Sequence, residues 1–389
     1  MRSDGHALHS GMSAERNSGV GDVGFDAIAV ELESRFLEGC ESPWTPAEFG
    51  RRALTVFRHQ FEGCATYRVF CERRGVTPDT VAHWEDVPAV PATAFKYFDL
   101  VSGAGRGVEA VFRTSGTTRG GDERGRHHVP RLDLYRASLL APFAKALIPD
   151  RVPLRFLSLI PDPAHVPDSS LSFMVGAAAE CLATETHWLV DATGVLDERS
   201  LADVLALVHD VGEPVLLLGT ALAFVHVMER DGVRLGPLPD GSRIMETGGF
   251  KGTRRTLPRR ELYRDIATAT GVPVERIVNE YGMTELLSQL YEPVLAEGAA
   301  AVGVQVPPPW LRVRALDPVS LLPVPEGEDG ILCFFDLANL GSVSHVLTED
   351  VGSVADGRVR LRGRAPGAES RGCSRAMDEL MAAAGPARR

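Results

Sequence analysis

The sequence predicts an α/β protein, a parallel β-sheet covered by helices with a small antiparallel β part attached. Two observations predict it. Between residues 132 and 279, short Val-, Ile- and Leu-rich segments alternate with helical patterns, as they do where crossover helices join parallel strands. Beyond Pro307, apolar residues recur at every second position without helices, and Asp356-Gly357 separates two such runs as a hairpin turn would. With 389 residues, 44% hydrophobic and 24% charged, the chain can bury a large core and a deep pocket.

Residues 1–24 mix Gly, Ser, His and charge, lack the apolar segment of a signal peptide, and are expected to be a disordered tail. Across 25–40 and 46–75, apolar residues recur at helical spacing (Ile28, Leu32, Phe36; Phe49, Leu54, Phe57, Phe61), so two amphipathic helices are expected, the second starting at Thr45-Pro46. Cys40, Cys64 and Cys71 should pack there as small apolar residues. A proline-stiffened connector at 87–100 carries the pair Phe95-Lys96, and a strand end at Val111-Phe112 leads into a small polar cluster at 114–121. A charged stretch at 122–131 follows. Helices are then expected at 132–147, 170–182, 201–211, 222–231 and 257–270, and strands at 154–160, 187–190, 214–218, 242–246 and 276–279. The β part takes 311–315, 330–335, 343–347, 352–355 and 358–362, and one helical stretch follows at 374–384. The implied division is a large domain at 25–362 (helical lead-in 25–100, α/β body 101–306, β subdomain 307–362) and a hinge with a short tail at 363–389.

The balance of 41 Lys and Arg against 52 Asp and Glu gives a net charge of −11, which disfavours nucleic acid and anionic membranes as partners. Any anion site must be built locally. The most apolar later run, 215–228, is broken by Gly219, Thr220 and His226 and falls short of the ~20 residues a membrane span needs, so no span is expected. Six cysteines show neither a C-x-x-C pair nor zinc spacing, which fits a reducing cytoplasm. His209 and His226 lie in helical patterns and read as surface or packed residues. The sequence leaves oligomeric state open.

The polar cluster contains Thr114, Ser115, Gly116, Thr117, Thr118, Arg119, Gly120 and Gly121. Small residues let the main chain approach a ligand, and such a loop can point several N–H groups and hydroxyls at a polyphosphate. An ordinary Ser/Thr/Gly turn has the same composition. Two further polar turns follow predicted strands, at Thr247-Gly248-Gly249 and at Glu280-Tyr281-Gly282-Met283-Thr284-Glu285. In open α/β sheets, ligands gather at the carboxyl ends of strands, where all three turns are expected to fall. Neither G-x-x-x-x-G-K-[ST] nor G-x-G-x-x-G occurs.

In order and spacing these turns resemble the motifs of the adenylate-forming superfamily of acyl-CoA synthetases and nonribosomal-peptide adenylation domains. Thr114 to Gly120 resembles its phosphate loop and Gly248-Gly249 its adenine-side glycines. Tyr281 to Glu285 resembles its YGxTE motif, Thr348-Glu349-Asp350 its TGD motif, and Gly363-Arg364 the start of its hinge. The resemblance implies ATP and Mg²⁺ as cofactors. Ser115, Gly116, Thr117, Thr118 and Gly120 would hold phosphates, Thr284 the α-phosphate and Glu285 the magnesium, while Tyr281 would stack on adenine and Asp350 would accept both ribose hydroxyls. Two departures stand out. The phosphate loop lacks its usual lysine, leaving Arg119 or Arg124 to substitute, and little sequence follows Arg364, which implies a strongly truncated C-terminal lid.

Over almost its full length the chain is similar to the acyl-protein synthetases of bacterial bioluminescence operons (LuxE type). It shares their Phe95-Lys96 pair, the turn Gly248-Gly249-Phe250-Lys251 and the terminal Arg371-Gly372-Cys373-Ser374. In that family the acyl group passes from acyl-AMP to a cysteine near the C-terminus and then to a partner reductase, which places the acceptor at Cys373. A thiol on a mobile tail between Arg371 and Arg375 would be favoured as thiolate. Lys251 and Lys96 are the candidates to neutralise charge at the α-phosphate, and Phe173, Met174 and Phe224 suggest an apolar pocket for a fatty or aryl acid. A carboxylate–CoA or carboxylate–carrier-protein ligase, and a catalytically impaired nucleotide-binding homologue, are the alternatives.

Overall fold

The computed structural model describes residues 21–103, 107–114, 124–248, 257–364 and 371–384. The chain opens with α1 (Gly21–Leu37), α2 (Pro46–Gly63) and α3 (Ala65–Arg73), then β1 (Val90–Pro91), the hairpin β2 (Ala110–Arg113) and β3 (Arg126–Val129), and α4 (Leu132–Leu147). The body follows as β4 (Leu154–Ser158), α5 (Ser170–Leu182), β5 (Ala183–Trp188), α6 (Glu198–Val211), β6 (Val215–Thr220), α7 (Ala221–Met228), β7 (Arg243–Thr247), α8 (Arg259–Thr270), β8 (Ile277–Tyr281) and β9 (Leu290–Tyr291). A short α9 (Val294–Glu297) leads to β10 (Leu311–Leu316), β11 (Asp329–Asp336), β12 (His345–Ala355) and β13 (Arg358–Arg364), and α10 (Arg371–Ala384) comes last.

The α/β class holds. Six strands in the order β5-β4-β6-β7-β8-β9 form a sheet that is parallel except for β9. Alternation along each strand divides its two faces: Leu216, Leu218, Met245 and Val278 join the main core with α4 and α5, whereas Leu217, Ile244 and Ile277 join a second core with α6, α7 and α8. Polar caps fix the helix starts. Ser169 Oγ accepts from Ser172 N–H at 3.1 Å and Thr220 Oγ1 from Ala223 N–H at 3.1 Å. Among the described residues no helix is long and apolar enough to cross a membrane.

Several boundaries differ from expectation for physical reasons. Gly21 already begins α1, so the expected tail yields to helix before residue 25. The single helix expected over 46–75 breaks at Cys64, whose φ of −112° and ψ of 100° are extended. A Cβ on Gly63 would lie 2.2 Å from the Ser102 carbonyl oxygen, so the connector runs against the helix end and the helix ends there. The β part is not purely antiparallel, because β1 pairs parallel with β12. The charged stretch at 122–131 holds β3, which pairs with β2 as a separate hairpin, so the polar cluster predicted to bind phosphate does not follow a strand of the parallel sheet. Strands expected at 343–347 and 352–355 are one strand, β12. Opposite it Cys333 faces Leu347 and Ile331 faces Val351, so β12 carries extra residues at 348–350 and the ladder bulges there. Bulges re-aim side chains.

The end of β11 anchors the turn after β8. Fully buried Asp336 accepts from Leu287 N–H at 2.9 Å, from the Ser288 hydroxyl at 2.7 Å and from Ala338 N–H at 3.0 Å. Burial pushes its carboxyl up to about 6 against these bonds. Asp336→Ala leaves three buried donors unpaired, at about 1–3 kcal/mol each before relaxation. Urea denaturation should therefore show a loss of at least about 2 kcal/mol. An unchanged midpoint would contradict the anchoring role.

Candidate active site

A cleft of about 490 Å³ opens where the carboxyl ends of the parallel strands meet the bulge of β12. Thr220, Thr247 and Glu280 lie side by side in register at the ends of β6, β7 and β8, and all three line it. The Thr247 hydroxyl donates to the Glu280 carboxylate. Gly248 follows at φ +77°, in the left-handed region that glycine adopts without strain. At Gly282 a Cβ would sit 2.4 Å from Glu280 Oε1 and would displace that carboxylate.

Of the predicted site residues, Lys96, Thr114, Gly248, Gly282, Thr284, Glu285, Asp350, Arg364 and Cys373 all line this one cleft. Ser115, Gly116, Thr117, Thr118, Arg119, Gly120, Gly249 and Lys251 lie outside the described residues. The residues that flank the predicted phosphate loop are described and are hydrogen-bonded to each other. Thr114 N–H donates to the Gly125 carbonyl at 3.0 Å and Thr114 Oγ1 accepts from Gly125 N–H at 2.8 Å. Arg124 donates to the Thr114 carbonyl at 2.6 Å and to Asp168 Oδ2 at 3.2 Å. The Thr114 hydroxyl and Arg124 thus both serve the loop's closure.

Thr284 is held from behind. His127 Nδ1 lies 2.7 Å from its carbonyl oxygen. A carbonyl only accepts, so Nδ1 carries the proton. Burial pushes this imidazole down to about 4, and it is neutral at physiological pH. Asn339 Nδ2 donates to the next carbonyl, Glu285, at 2.8 Å. Tyr281 does not line the cleft. Its ring stacks on Phe334 with centroids 5.7 Å apart, and its hydroxyl donates to Asp350 Oδ2 at 2.7 Å. Burial and then the adjacent Asp350 carboxylate push the phenol up, which keeps that proton in place. Arg364 approaches the other Asp350 oxygen at 3.3 Å. Thr348 Oγ1 donates to the Leu332 carbonyl at 2.8 Å and accepts from Asp350 N–H at 3.1 Å, which fixes the bulge.

Cys373 departs from its predicted setting. It lies in α10 rather than on an extended tail, buried among Leu316, Ile331, Cys333 and Leu347. Its Sγ donates to the Thr348 carbonyl at 3.3 Å. Burial, and then the charge of Glu349, push the thiol up to about 11 from 9.0, the opposite of the cation-favoured thiolate expected. The apolar triad also separates. Met174 lines the cleft, Phe173 faces a different surface groove against Tyr135 and Arg136, and Phe224 is buried under Gly219 in the second core. His209 and His226 are exposed, as expected.

Sequence reasoning missed His127, Tyr135, Glu280, Gln289 and Asp336. Arg126–Val129 buries alternate residues, but its sequence, Arg-His-His-Val, carries no apolar alternation that would have signalled β3 and its inward His127.

The sequence model of the family described as "Acyl-protein synthetase, LuxE" matches residues 32–382. The chain belongs to the LuxE acyl-protein synthetase family. Among curated LuxE relatives, the "Long-chain-fatty-acid--luciferin-component ligase" of Vibrio harveyi is 24% identical over 341 residues, covering 85% of this chain and 86% of the relative. The protein of the same name from Aliivibrio fischeri is 23% identical over 301 residues, covering 75% of each. These relatives are ligases by name, which bears out the expected enzyme class. Among solved structures, a 2-hydroxyisobutyryl-CoA ligase with 2-HIB-AMP and CoA aligns at TM-score 0.57 and 16% identity, over 82% of this chain and 75% of that one. This shows the adenylate-forming fold. The chain spans just over half (56%) of ATP-bound MatB from Rhodopseudomonas palustris, at TM-score 0.48 and 16% identity.

The buried thiol carries a pH prediction. Its pKa lies above the ordinary thiol value, so the thiolate fraction is small at neutral pH and grows about tenfold per pH unit. Iodoacetamide labelling of Cys373, followed by mass spectrometry, should keep accelerating to about pH 11 instead of levelling near 9.0. Levelling at or below pH 9 would contradict the buried placement.

Proposed function

We propose that this LuxE-family chain activates a carboxylic acid with ATP, releasing pyrophosphate, and then passes the acyl group from acyl-AMP to a thiol. The observation that carries this reading is the convergence of the phosphate-loop ends, the Thr284-Glu285 turn, Asp350 and Cys373 on one cleft. In the first step a carboxylate oxygen bonds the α-phosphorus while the bond to the β-phosphate oxygen breaks, and pyrophosphate leaves with that electron pair.

Each residue has a task suited to its setting. Asp350, oriented by Tyr281 and Arg364, accepts the ribose hydroxyls through the remaining lone pairs of its two oxygens. Thr284, its backbone pinned by His127, donates its hydroxyl to the α-phosphate. Ser115, Gly116, Thr117, Thr118 and Gly120 cradle the outer phosphates, and Gly248 and Gly249 admit the adenine edge. Glu285 suits Mg²⁺. No group of three or more His, Cys, Asp or Glu among the described residues could hold a metal, and this hard cation takes one or two carboxylates with phosphate oxygens and water. Bound there, it would neutralise phosphate charge. Lys96 lines the same cleft and, with Lys251, is assigned to stabilise charge at the α-phosphate.

In the second step a thiol sulfur bonds the acyl carbon, the bond from that carbon to the phosphate oxygen breaks, AMP leaves with that electron pair, and the thiol proton passes to solvent. Cys373, in the cleft wall, is the proposed acceptor, with onward transfer to a partner reductase or carrier protein. Its buried, protonated state favours a second reading, in which the acceptor is an external thiol of CoA or a carrier protein. Six free cysteines suit a reducing compartment such as the cytoplasm.

ATP–pyrophosphate exchange over a panel of fatty, aryl and substituted acids tests activation, and acid-dependent exchange is expected. Thr284→Ala and Lys96→Ala should each lower it about 100-fold. Exchange near wild type in Lys96→Ala would remove that residue from the assignment. In the absence of CoA, acyl label retained on the denatured protein and lost in Cys373→Ser supports the internal acceptor. Strict dependence on CoA or a carrier supports the external one.

A further inference from the structure

The polar cluster at 114–121 contains no lysine, so the cation for the outer phosphates of ATP has to come from another position in the cleft. Among the described residues, four cationic side chains line it: Lys96, Arg113, Arg124 and Arg364. Arg124 is occupied by the Thr114 carbonyl at 2.6 Å and by Asp168 Oδ2 at 3.2 Å, and Arg364 by Asp350 at 3.3 Å. Lys96 serves the α-phosphate in the proposed reaction. Arg113 is left.

Among the described residues, Arg113 combines a fixed backbone with a guanidinium that no hydrogen bond or ion pair engages. It is the last residue of β2, its N–H donates to the Asp168 carbonyl at 2.8 Å, and its own carbonyl accepts from Arg124 Nη2 at 3.3 Å. The carboxylates nearby in the fold have other partners. Asp168, whose carbonyl holds the Arg113 backbone, bonds Arg124 through its side chain, and Asp99 pairs with Arg126, which faces Arg113 across the hairpin. Arg113 is exposed where it lines the cleft, directly before Thr114, at the root of the polar cluster.

A guanidinium is always charged and presents planar donors that match a phosphate bidentately. The cleft also carries Glu280, Glu285, Glu349 and Asp350, whose charges oppose a polyphosphate unless cations offset them locally. We infer that Arg113 is the cation that stands in for the missing loop lysine. Its guanidinium takes the β- and γ-phosphates of ATP and stabilises the charge that builds on pyrophosphate as the bond from the α-phosphorus to the β-phosphate oxygen breaks. Arg113 donates hydrogen bonds in that step and gives up no proton. The inference rests on the adenylation reading and adds a substrate-binding residue to it, where the sequence alone pointed to Arg119 or Arg124.

Calorimetric titration of the full chain with α,β-methylene-ATP and Mg²⁺, and separately with AMP, tests it, because only the first ligand carries β- and γ-phosphates. Arg113→Gln should weaken the triphosphate about tenfold or more and leave AMP affinity unchanged, with thermal unfolding near wild type. Arg113→Lys, which keeps the charge without the planar fork, should lie between the two. In ATP–pyrophosphate exchange, Arg113→Gln should raise the KM for ATP and for pyrophosphate. Equal weakening of both nucleotides, or no weakening of either, would overturn the inference and leave adenylation standing. So would a loss of triphosphate affinity in Arg119→Gln that Arg113→Gln does not show. Failure of wild type to bind either nucleotide would overturn the adenylation reading and this inference together.

Discussion

The site is built on a seam between two sheets, tied at the cleft by the hydrogen bond from Tyr281 to Asp350. Tyr281 ends the last parallel strand of the six-stranded sheet, and Asp350 sits in the bulge of β12 in the five-stranded sheet. Their 2.7 Å contact, backed by Tyr281 stacking on Phe334, joins the two sheets beside the cleft. Arg364, at the end of β13, reaches the same carboxylate from the C-terminal side. Removing either partner would strand a polar group at the seam, to which Asp336, bonded to Leu287 and Ser288, and Asn339, bonded to Glu285, add further ties.

To take the proposed polyphosphate, a chain of net charge −11 has to create its positive potential locally. The cleft gathers Lys96, Arg113, Arg124 and Arg364 against Glu280, Glu285, Glu349 and Asp350. Arg124 is tied to the loop's backbone and to Asp168, and Arg364 to Asp350. Much of the basic charge is thus used to shape the site.

What could be read in the sequence was local chemistry. The helix α5 has the bounds its periodicity implies, because Ser169 caps it and apolar spacing fills it. The turn at Gly282 to Glu285 announced itself through residue types that only a tight polar turn requires. What could not be read was set by partners distant in the chain. Gln289 and Tyr135 are 154 residues apart in sequence, and nothing local to either signals the buried hydrogen bond that joins them. His127 hid in a run of charges whose strand pairs only with β2. Strand β5 was misplaced because Ala183–Trp188 is an edge strand of mixed polarity, whose exposed side chains blur the apolar pattern. The Cys373 thiol was read from its charged sequence neighbours, whereas its pKa follows from the apolar residues of β10, β11 and β12 that cover it.

The most direct test of the central claim, that this seam is an adenylate site, is calorimetric binding of a non-hydrolysable acyl-sulfamate analogue of acyl-AMP to wild type and to Asp350→Ala. The account predicts tight binding to wild type and a loss of about 100-fold or more when Asp350 is removed, as expected where a carboxylate accepts two ligand hydroxyls. Equal affinity for the two proteins, or no binding to wild type, would contradict it.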